Sequence, residues 1–499
     1  MDGKSGFAEE SHRRRARESS AVRLFLASAL AVPLCPLAAQ QIAEPAVQPI
    51  TQQPGAEAQL QTGTSSGLDT DARLQNLLAD HQYLRIQAQL SQLPSDQAQF
   101  YRGILANRSN QLDQSVQILE PLVNQVTASG DAAREKLLRM TLAEDYLRLG
   151  NWAKASEAYQ TLSARLGGEL TSGEQDEIEM PLKMLPLAKD NPPITADPCE
   201  PFRLQVSDDP LGLVDVPVFI DARSHSWMLD PTSPFNLISR SIARDVGLTI
   251  SKESATIHTL TGRPIQVHVT VIPRFTIGGR LTLHDVTAFV FDDSDYSFPH
   301  SGYRVEGVLG YPAVAAMGRL TVSDYTIEVD PSREIDPQED RDRLTTGARF
   351  YLDGDRVIAA LGRSPDPTTD SSSLGMAADG RGDAGENDDR MFAIDAGGQQ
   401  SYLTSRWFDE HAAAFNGQKM EPFSFPGMDT GLGSAYLAEN VPLAVGNTFI
   451  DLHYIPVLTQ PVASAARDDV YGVLGIDALD QLKSYTFDYR TMRFSATGN

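Results

Sequence analysis

The chain has 499 residues, of which 41% are hydrophobic and 22% charged, enough for several domains with cores of their own. Asp and Glu number 66 against 42 Lys and Arg, a formal net charge of −24. That balance argues against nucleic acid as a partner, since its phosphates would be repelled, and it also disfavours anionic membrane surfaces.

Residues 1–39 read as a secretory signal. Arg13, Arg14, Arg15, Arg17 and Arg23 precede an apolar run from Leu24 to Leu34, and small residues follow at Ala38 and Ala39. This segment holds six basic and four acidic side chains, so its removal takes the formal charge from −24 to −26. The apolar run is too short to cross a bilayer comfortably. The expectation is export with no stable membrane span after cleavage; retention as an anchor is the alternative. Only Cys199 would survive cleavage, so no internal disulfide is expected. Residues 40–68, rich in Gln, Ala, Pro, Gly, Ser and Thr, read as a flexible linker.

Residues 69–186 change character, with apolar residues at helical spacing. Ala143, Tyr146, Gly150, Trp152, Ala155 and Tyr159 fall at the spacings of a tetratricopeptide helix pair. Forty residues earlier, Gly103, Ala106, Asn110, Leu112, Ser115 and Leu119 stand at the corresponding places. This stretch resembles a tetratricopeptide-repeat module, which implies a protein partner on its concave face. A plain helical bundle is the other reading.

After a Pro-rich boundary at residues 187–201, strand patterns dominate to the end of the chain. The expected fold class is therefore multidomain, α plus β, with a helical domain followed by an all-β bilobal domain. Its lobes are expected at 202–335 and 342–499. Ser364 to Arg390 has almost no apolar residues and reads as a disordered insertion in the second lobe.

The β part contains the same pattern twice. An apolar strand, Met391 to Ile394, runs into Asp395, Ala396, Gly397 and Gly398. Its counterpart 165 residues upstream, Trp227 to Leu229, runs into Asp230, Pro231, Thr232 and Ser233. An apolar residue, Ile238 or Leu403, stands eight places after each Asp. Gly-Val-Leu-Gly begins 77 places after each, at Gly307 and Gly472. Landmarks in register at a fixed offset mark a duplicated unit. A carboxylate at the end of a buried strand is costly unless something there uses it.

This duplication resembles the pepsin and retropepsin type of aspartic peptidase, and more narrowly the bacterial retropepsin-like group. The resemblance covers residues 202–499 and implies a bilobal fold in which each lobe supplies one catalytic Asp, here Asp230 and Asp395. Two adjacent carboxylates cannot both ionise, so they share a proton; the ionised member activates a water and the protonated member donates to the scissile carbonyl. An exported aspartic endopeptidase acting on a protein or peptide substrate follows, in a bacterial periplasm. Thr261 and Gly262 would form the tip of a substrate-covering flap. Two departures stand in the active-site loops: Pro231 and Ala396 replace the family's Thr or Ser, and Thr232 replaces a Gly that Gly397 keeps. They leave a second reading open, a catalytically impaired relative that binds peptides or protein partners.

Asp429-Thr430-Gly431 is a literal Asp-Thr-Gly, but Pro426-Gly427 precedes it and Gly-Val-Leu-Gly follows only 43 residues later, so it reads as a hairpin tip. Asp221 also ends an apolar strand, but Asp353-Gly354 occupies the comparable early turn in the second copy, so Asp221 reads as a hairpin turn residue. The nine histidines show no metal-ligand spacing, and no phosphate loop or Ser nucleophile elbow is present. No metal or cofactor is expected.

Overall fold

Eight α-helices occupy the first described part of the chain: α1 (Ser65–Ala79), α2 (Tyr83–Gln89), α3 (Ser95–Arg108), α4 (Leu112–Leu119), α5 (Val123–Ser129), α6 (Ala132–Arg148), α7 (Trp152–Leu166) and α8 (Ser172–Ala188). Several start where the sequence supplies a cap. The Asp131 side chain accepts from the Arg134 N–H at 3.0 Å, Asn151 accepts from Lys154 N–H at 3.2 Å, and Thr171 with Glu174 forms a capping box. α3 packs on α4 and α6 on α7. Gly103 permits the first approach: a Cβ there would lie 2.3 Å from Leu119 Cδ2. Asn110 (φ 57°) and Gly150 (φ 68°), 40 residues apart, both take the left-handed conformation in the turns that close these pairs. Trp152, Ala155 and Tyr159 are buried between the helices.

The computed structural model describes residues 65–209, 213–258, 264–298, 303–332, 347–354, 356–363, 390–396, 398, 400–423, 433–445, 448–460 and 469–498. The expected signal, most of the linker, nearly all of the Ser364–Arg390 insertion, Thr261, Gly262, Gly397 and Asp429 to Gly431 lie outside the described residues.

The remainder is β-rich. In the first lobe, strand Arg223–Leu229 runs parallel to Gly307–Leu309, which pairs antiparallel with Asn236–Ser239. In the second, Arg390–Ile394 runs parallel to Gly472–Leu474, which pairs antiparallel with Tyr402–Leu403. A long hairpin flanks each unit, Pro264–Ile277 with Leu281–Phe291 and Gly433–Val445 with Thr448–Val457. Gly278 (φ 58°) and Gly279 (φ 69°) form the turn of the first, where two successive left-handed residues match the strands' twist. Asp221 and Ala222 hold the same conformation (φ 47° and 64°) in the turn after strand Val214–Ile220.

The two lobes share one sheet. Arg319–Ser323 pairs antiparallel with Ser484–Asp488, and the order continues outward through Thr326–Asp330 to Phe202–Gln205 on one side and through Arg493–Thr497 to Ala348–Asp353 on the other. One hydrophobic cluster therefore runs through both lobes, from Trp227 and Phe275 to Phe392 and Phe494.

The helical part is docked on this β body by buried contacts. Tyr83 packs against Tyr351 with ring centroids 4.5 Å apart. Arg108 Nη2 lies 2.8 Å from Asp353 Oδ1, and His81 Nε2 lies 3.2 Å from Asp469 Oδ2. Tyr311 OH donates to Asn110 Oδ1 at 2.6 Å. No helix among the described residues is long and apolar enough to cross a membrane.

Candidate active site

Each of the two acidic residues stands where a strand meets a turn, and the two surroundings correspond bond for bond. The Asp230 N–H donates to Leu309 O at 3.0 Å, and the Asp395 N–H donates to Leu474 O at 2.9 Å, so both strand ladders continue up to the acid. The next turn closes on the Asp carbonyl, through Ser233 N–H in one copy and Gly398 N–H in the other. Tyr311 N–H then donates to Ser233 O at 2.8 Å, and Ile476 N–H to Gly398 O at 2.7 Å. Ser239 N–H bonds to Glu306 O as Thr404 N–H bonds to Tyr471 O. Every one of these pairs is offset by 165 residues.

The glycines of the two Gly-Val-Leu-Gly segments have steric reasons. A Cβ on Gly307 would stand 2.3 Å from the Trp227 ring, and one on Gly310 2.1 Å from Phe235 O. A Cβ on Gly472 would meet Tyr402 O at 2.8 Å. The freed space lets the last glycine N–H reach a side chain of the acid's own loop. Gly310 N–H donates to Asn236 Oδ1 at 3.0 Å, and Gly475 N–H to Ser401 Oγ at 2.9 Å. Neither Asn236 nor Ser401 was among the residues expected from sequence, although a polar residue six places after each Asp was available as a signal.

The acids themselves differ. Asp230 is buried, at 1% exposure, whereas Asp395 is half-buried. Asp230 Oδ1 accepts from Thr232 Oγ1 at 2.7 Å, from Thr232 N–H at 3.0 Å and from Ser233 N–H at 3.2 Å. Three donors converge on this one carboxylate oxygen. Thr232 thus has a use the sequence did not reveal: its hydroxyl, one place later than the expected Thr or Ser, turns back onto the acid. Pro231 is buried and Ala396 half-buried, and neither side chain can donate.

Tyr489 is a further neighbour of the site that the sequence did not mark. Its hydroxyl is buried with no hydrogen-bond partner among the described residues. Burial first, then Tyr311 and the charge of Asp230, hold its proton on far above the usual tyrosine range. Its ring meets Tyr311 edge-on at 6.1 Å.

His81, Asp353 and Asp469 offer ligand atoms within 4.8 Å of one another. This trio does not suit a cation, because guanidinium groups already occupy its carboxylates. Arg356 donates to both oxygens of Asp469, at 2.7 and 2.9 Å, and to Asp353 Oδ2 at 2.8 Å. Burial opposes ionisation of Asp353 and Asp469, but Arg356 with His81, and for Asp353 also Arg108, outweighs it and holds both below the ordinary carboxylate range.

Residues 216–313 match the family model for aspartyl proteases. That span contains Asp230, the long hairpin and the first Gly-Val-Leu-Gly. No curated protein matches the chain. Among solved structures, the chain is similar to a retropepsin-like aspartic protease from Rickettsia conorii, at 9% identity and a TM-score of 0.19 over 28% of this chain and 93% of that chain. The second lobe lies outside the family match, and its relation to the first rests on the 165-residue correspondence.

Proposed function

We propose that the chain is an aspartic-type endopeptidase of the retropepsin-like group, with Asp230 and Asp395 as its dyad. The observation that carries this reading is the pair of matched loops, in which each acid is held by the same ladder bond at the same offset. Asp230, with three donors on one oxygen, is the ionised member and takes the proton of the attacking water. Asp395, the more exposed acid, carries the shared proton and donates to the scissile carbonyl. The peptide C–N bond breaks as water adds, with the leaving amine taking a proton from the pair; no covalent intermediate forms. Pro231, Thr232, Ala396 and Gly397 shape the two loops, and Thr261 and Gly262 cover the substrate.

Residues 1–39 direct export in this reading, with a bacterial periplasm as destination, and the helical module is tetratricopeptide-like with a protein partner. A second reading, a peptide-binding relative without turnover, is favoured by the loss of both loop hydroxyls at Pro231 and Ala396.

Cleavage of an unstructured protein between pH 3 and 8, by the chain and by its Asp230→Asn and Asp395→Asn variants, tests the proposal. Activity in acid that is lost in both variants supports it. Activity that persists in both overturns it.

A further inference from the structure

Side chains alternate along a strand, and both strands keep their ladders up to the acid. Asp395 therefore shares a face with Ala393 and Met391, and Asp230 shares one with Met228. The alternate residues, Phe392 and Ile394 in one lobe and Trp227 and Leu229 in the other, fill the lobe cores. The face that carries the acids is therefore the one with Met228 on one strand and with Met391 and Ala393 on the other.

The helical module already lies there. Tyr83 forms one buried cluster with Met391, Ala393, Val470 and Tyr351, and Leu78 and Leu105 pack against it. Met228 and Val308 belong to the cluster that contains the core of the helices. α8 packs on the hairpin Ala255–His258 and Pro264–Ile277, whose connection carries Thr261 and Gly262. Asp230 is left at 1% exposure.

The module is fastened as well as packed. Arg108 bridges Glu144 of α6 (2.7 Å) and Asp353 of the second lobe (2.8 Å), with all three side chains at most 7% exposed. His81 reaches Asp469 at 3.2 Å and Asp353 at 3.7 Å, and Arg356 closes the set from the lobe side. Arg406 pairs with Asp80 at 3.1 Å on the rim. Taking one member from a buried set of this kind leaves its partners charged and uncompensated.

We infer that the helical module is an intramolecular cover seated on the peptide-binding face, fastened by His81 and Arg108 to Asp353 and Asp469, and that it has to lift before a substrate reaches the two acids. This rests on the peptidase reading for what the face is used for, but not for whether it is covered. A protein that grips the helices from outside would open the site, and the module's partner acquires that role.

The test uses the full chain in two altered forms. One is Arg108→Ala, which loosens the fastening. The other carries a recognition sequence for a specific protease after Asp197, in the exposed Pro-rich boundary between the helices and the first lobe, and is compared before and after cutting, so that folding is the same in both. The probes are a fluorescent statine-containing hexapeptide and unfolded casein. At least 10-fold tighter probe binding in the loosened or cut form, with casein cleavage rising in step, supports the cover. Tighter binding without cleavage in any form upholds the cover and overturns the peptidase reading. Equal probe binding by the intact chain, the cut form and Arg108→Ala overturns the cover, and if Arg108→Ala fails to fold, Arg406→Ala, which opens the rim pair with Asp80, is combined with the cut in its place.

Discussion

Thr321 and Thr486 meet across the strand pair that joins the two lobes, with their Oγ1 atoms 2.8 Å apart. They are 165 residues apart, the same offset that relates Asp230 to Asp395. The pairing around them exchanges with itself: Leu320 faces Phe487 and Val322 faces Tyr485, so each flanking residue sits opposite the counterpart of the other. The register is therefore locally twofold symmetric about the threonine pair. The duplication is thus built into the backbone as two halves closed on one sheet.

The threonine pair should behave as a unit. Thr321→Val or Thr486→Val alone strands one half-buried hydroxyl and is expected to cost about 1 kcal/mol, whereas the double variant removes both partners and should cost less than the sum. A double-mutant cycle on thermal midpoints measures the difference. Strict additivity would mean that the bond contributes nothing.

Asp145 predicts a pH dependence of opposite sign to most carboxylates. It is buried among the helices, where Ser115 Oγ donates to it at 2.6 Å and Asn107 Nδ2 at 2.8 Å, and burial raises its pKa from 3.8 to about 6. A raised acid binds its proton more tightly folded than unfolded. Its protonation therefore stabilises the fold below about pH 4, and that contribution is lost as pH rises through about 6. At pH 7 the charged form costs roughly 3 kcal/mol, an order-of-magnitude figure. Asp145→Asn should raise the melting temperature at pH 7.5 and show little difference from the parent at pH 4. A variant less stable at pH 7.5 would show that the two hydrogen bonds need the carboxylate.

Asp230, Asp395 and the two Gly-Val-Leu-Gly segments were legible in the sequence because a duplicated loop repeats its sterically forced residues in register. The places at Asn110 and Gly150 were legible because turns need a left-handed residue at a fixed spacing. The fastening was not: His81, Arg108, Asp353 and Asp469 stand far apart in sequence, and nothing local marks an isolated charge as destined for burial. Thr232 looked like a departure because a motif specifies a position, while a hydroxyl one residue later can still reach the same oxygen. The seat of the helical module on the acid-bearing face is a property of packing between domains, which no periodicity within either domain records.

Gly310 predicts a steric lesion in the first lobe. A Cβ there would meet Phe235 O at 2.1 Å and Ser233 O at 2.8 Å, both backbone atoms that cannot swing aside. Gly310→Ala should therefore move the loop that carries Asp230, lowering stability by roughly 3 kcal/mol, in the range of other severe packing defects, and on the proposed peptidase reading reducing cleavage at least 10-fold. Gly417→Ala is the contrast: nothing lies within 4 Å of its Cβ, so only the strain of its left-handed backbone (φ 83°) is added, about 1 kcal/mol. Thermal melts of the two variants should separate them, and equal effects would show that the tight approach at Gly310 is not maintained.

The fastening of the helical module sets how acid acts on it. Asp469 is held below the ordinary carboxylate range in the folded chain, with burial opposing and Arg356 and His81 prevailing; Asp353 is shifted the same way. For a depressed acid the stabilisation is present above the unfolded value, near pH 4, and is lost only as pH falls toward the folded value. Arg108, Arg356 and Glu144 face the same cluster, and the two arginines stay charged throughout. Mild acid, around pH 5, should leave both carboxylates ionised and the module seated. Asp469→Asn should destabilise the chain by roughly 2–4 kcal/mol at pH 7 and at pH 5, and still by most of that at pH 3, because the parent's carboxylate is lost only as pH falls toward its folded value. Thermal melts at those three values check it. A difference that vanishes already at pH 5 would mean that the cluster titrates where an aspartic peptidase works, and that acid alone lifts the module.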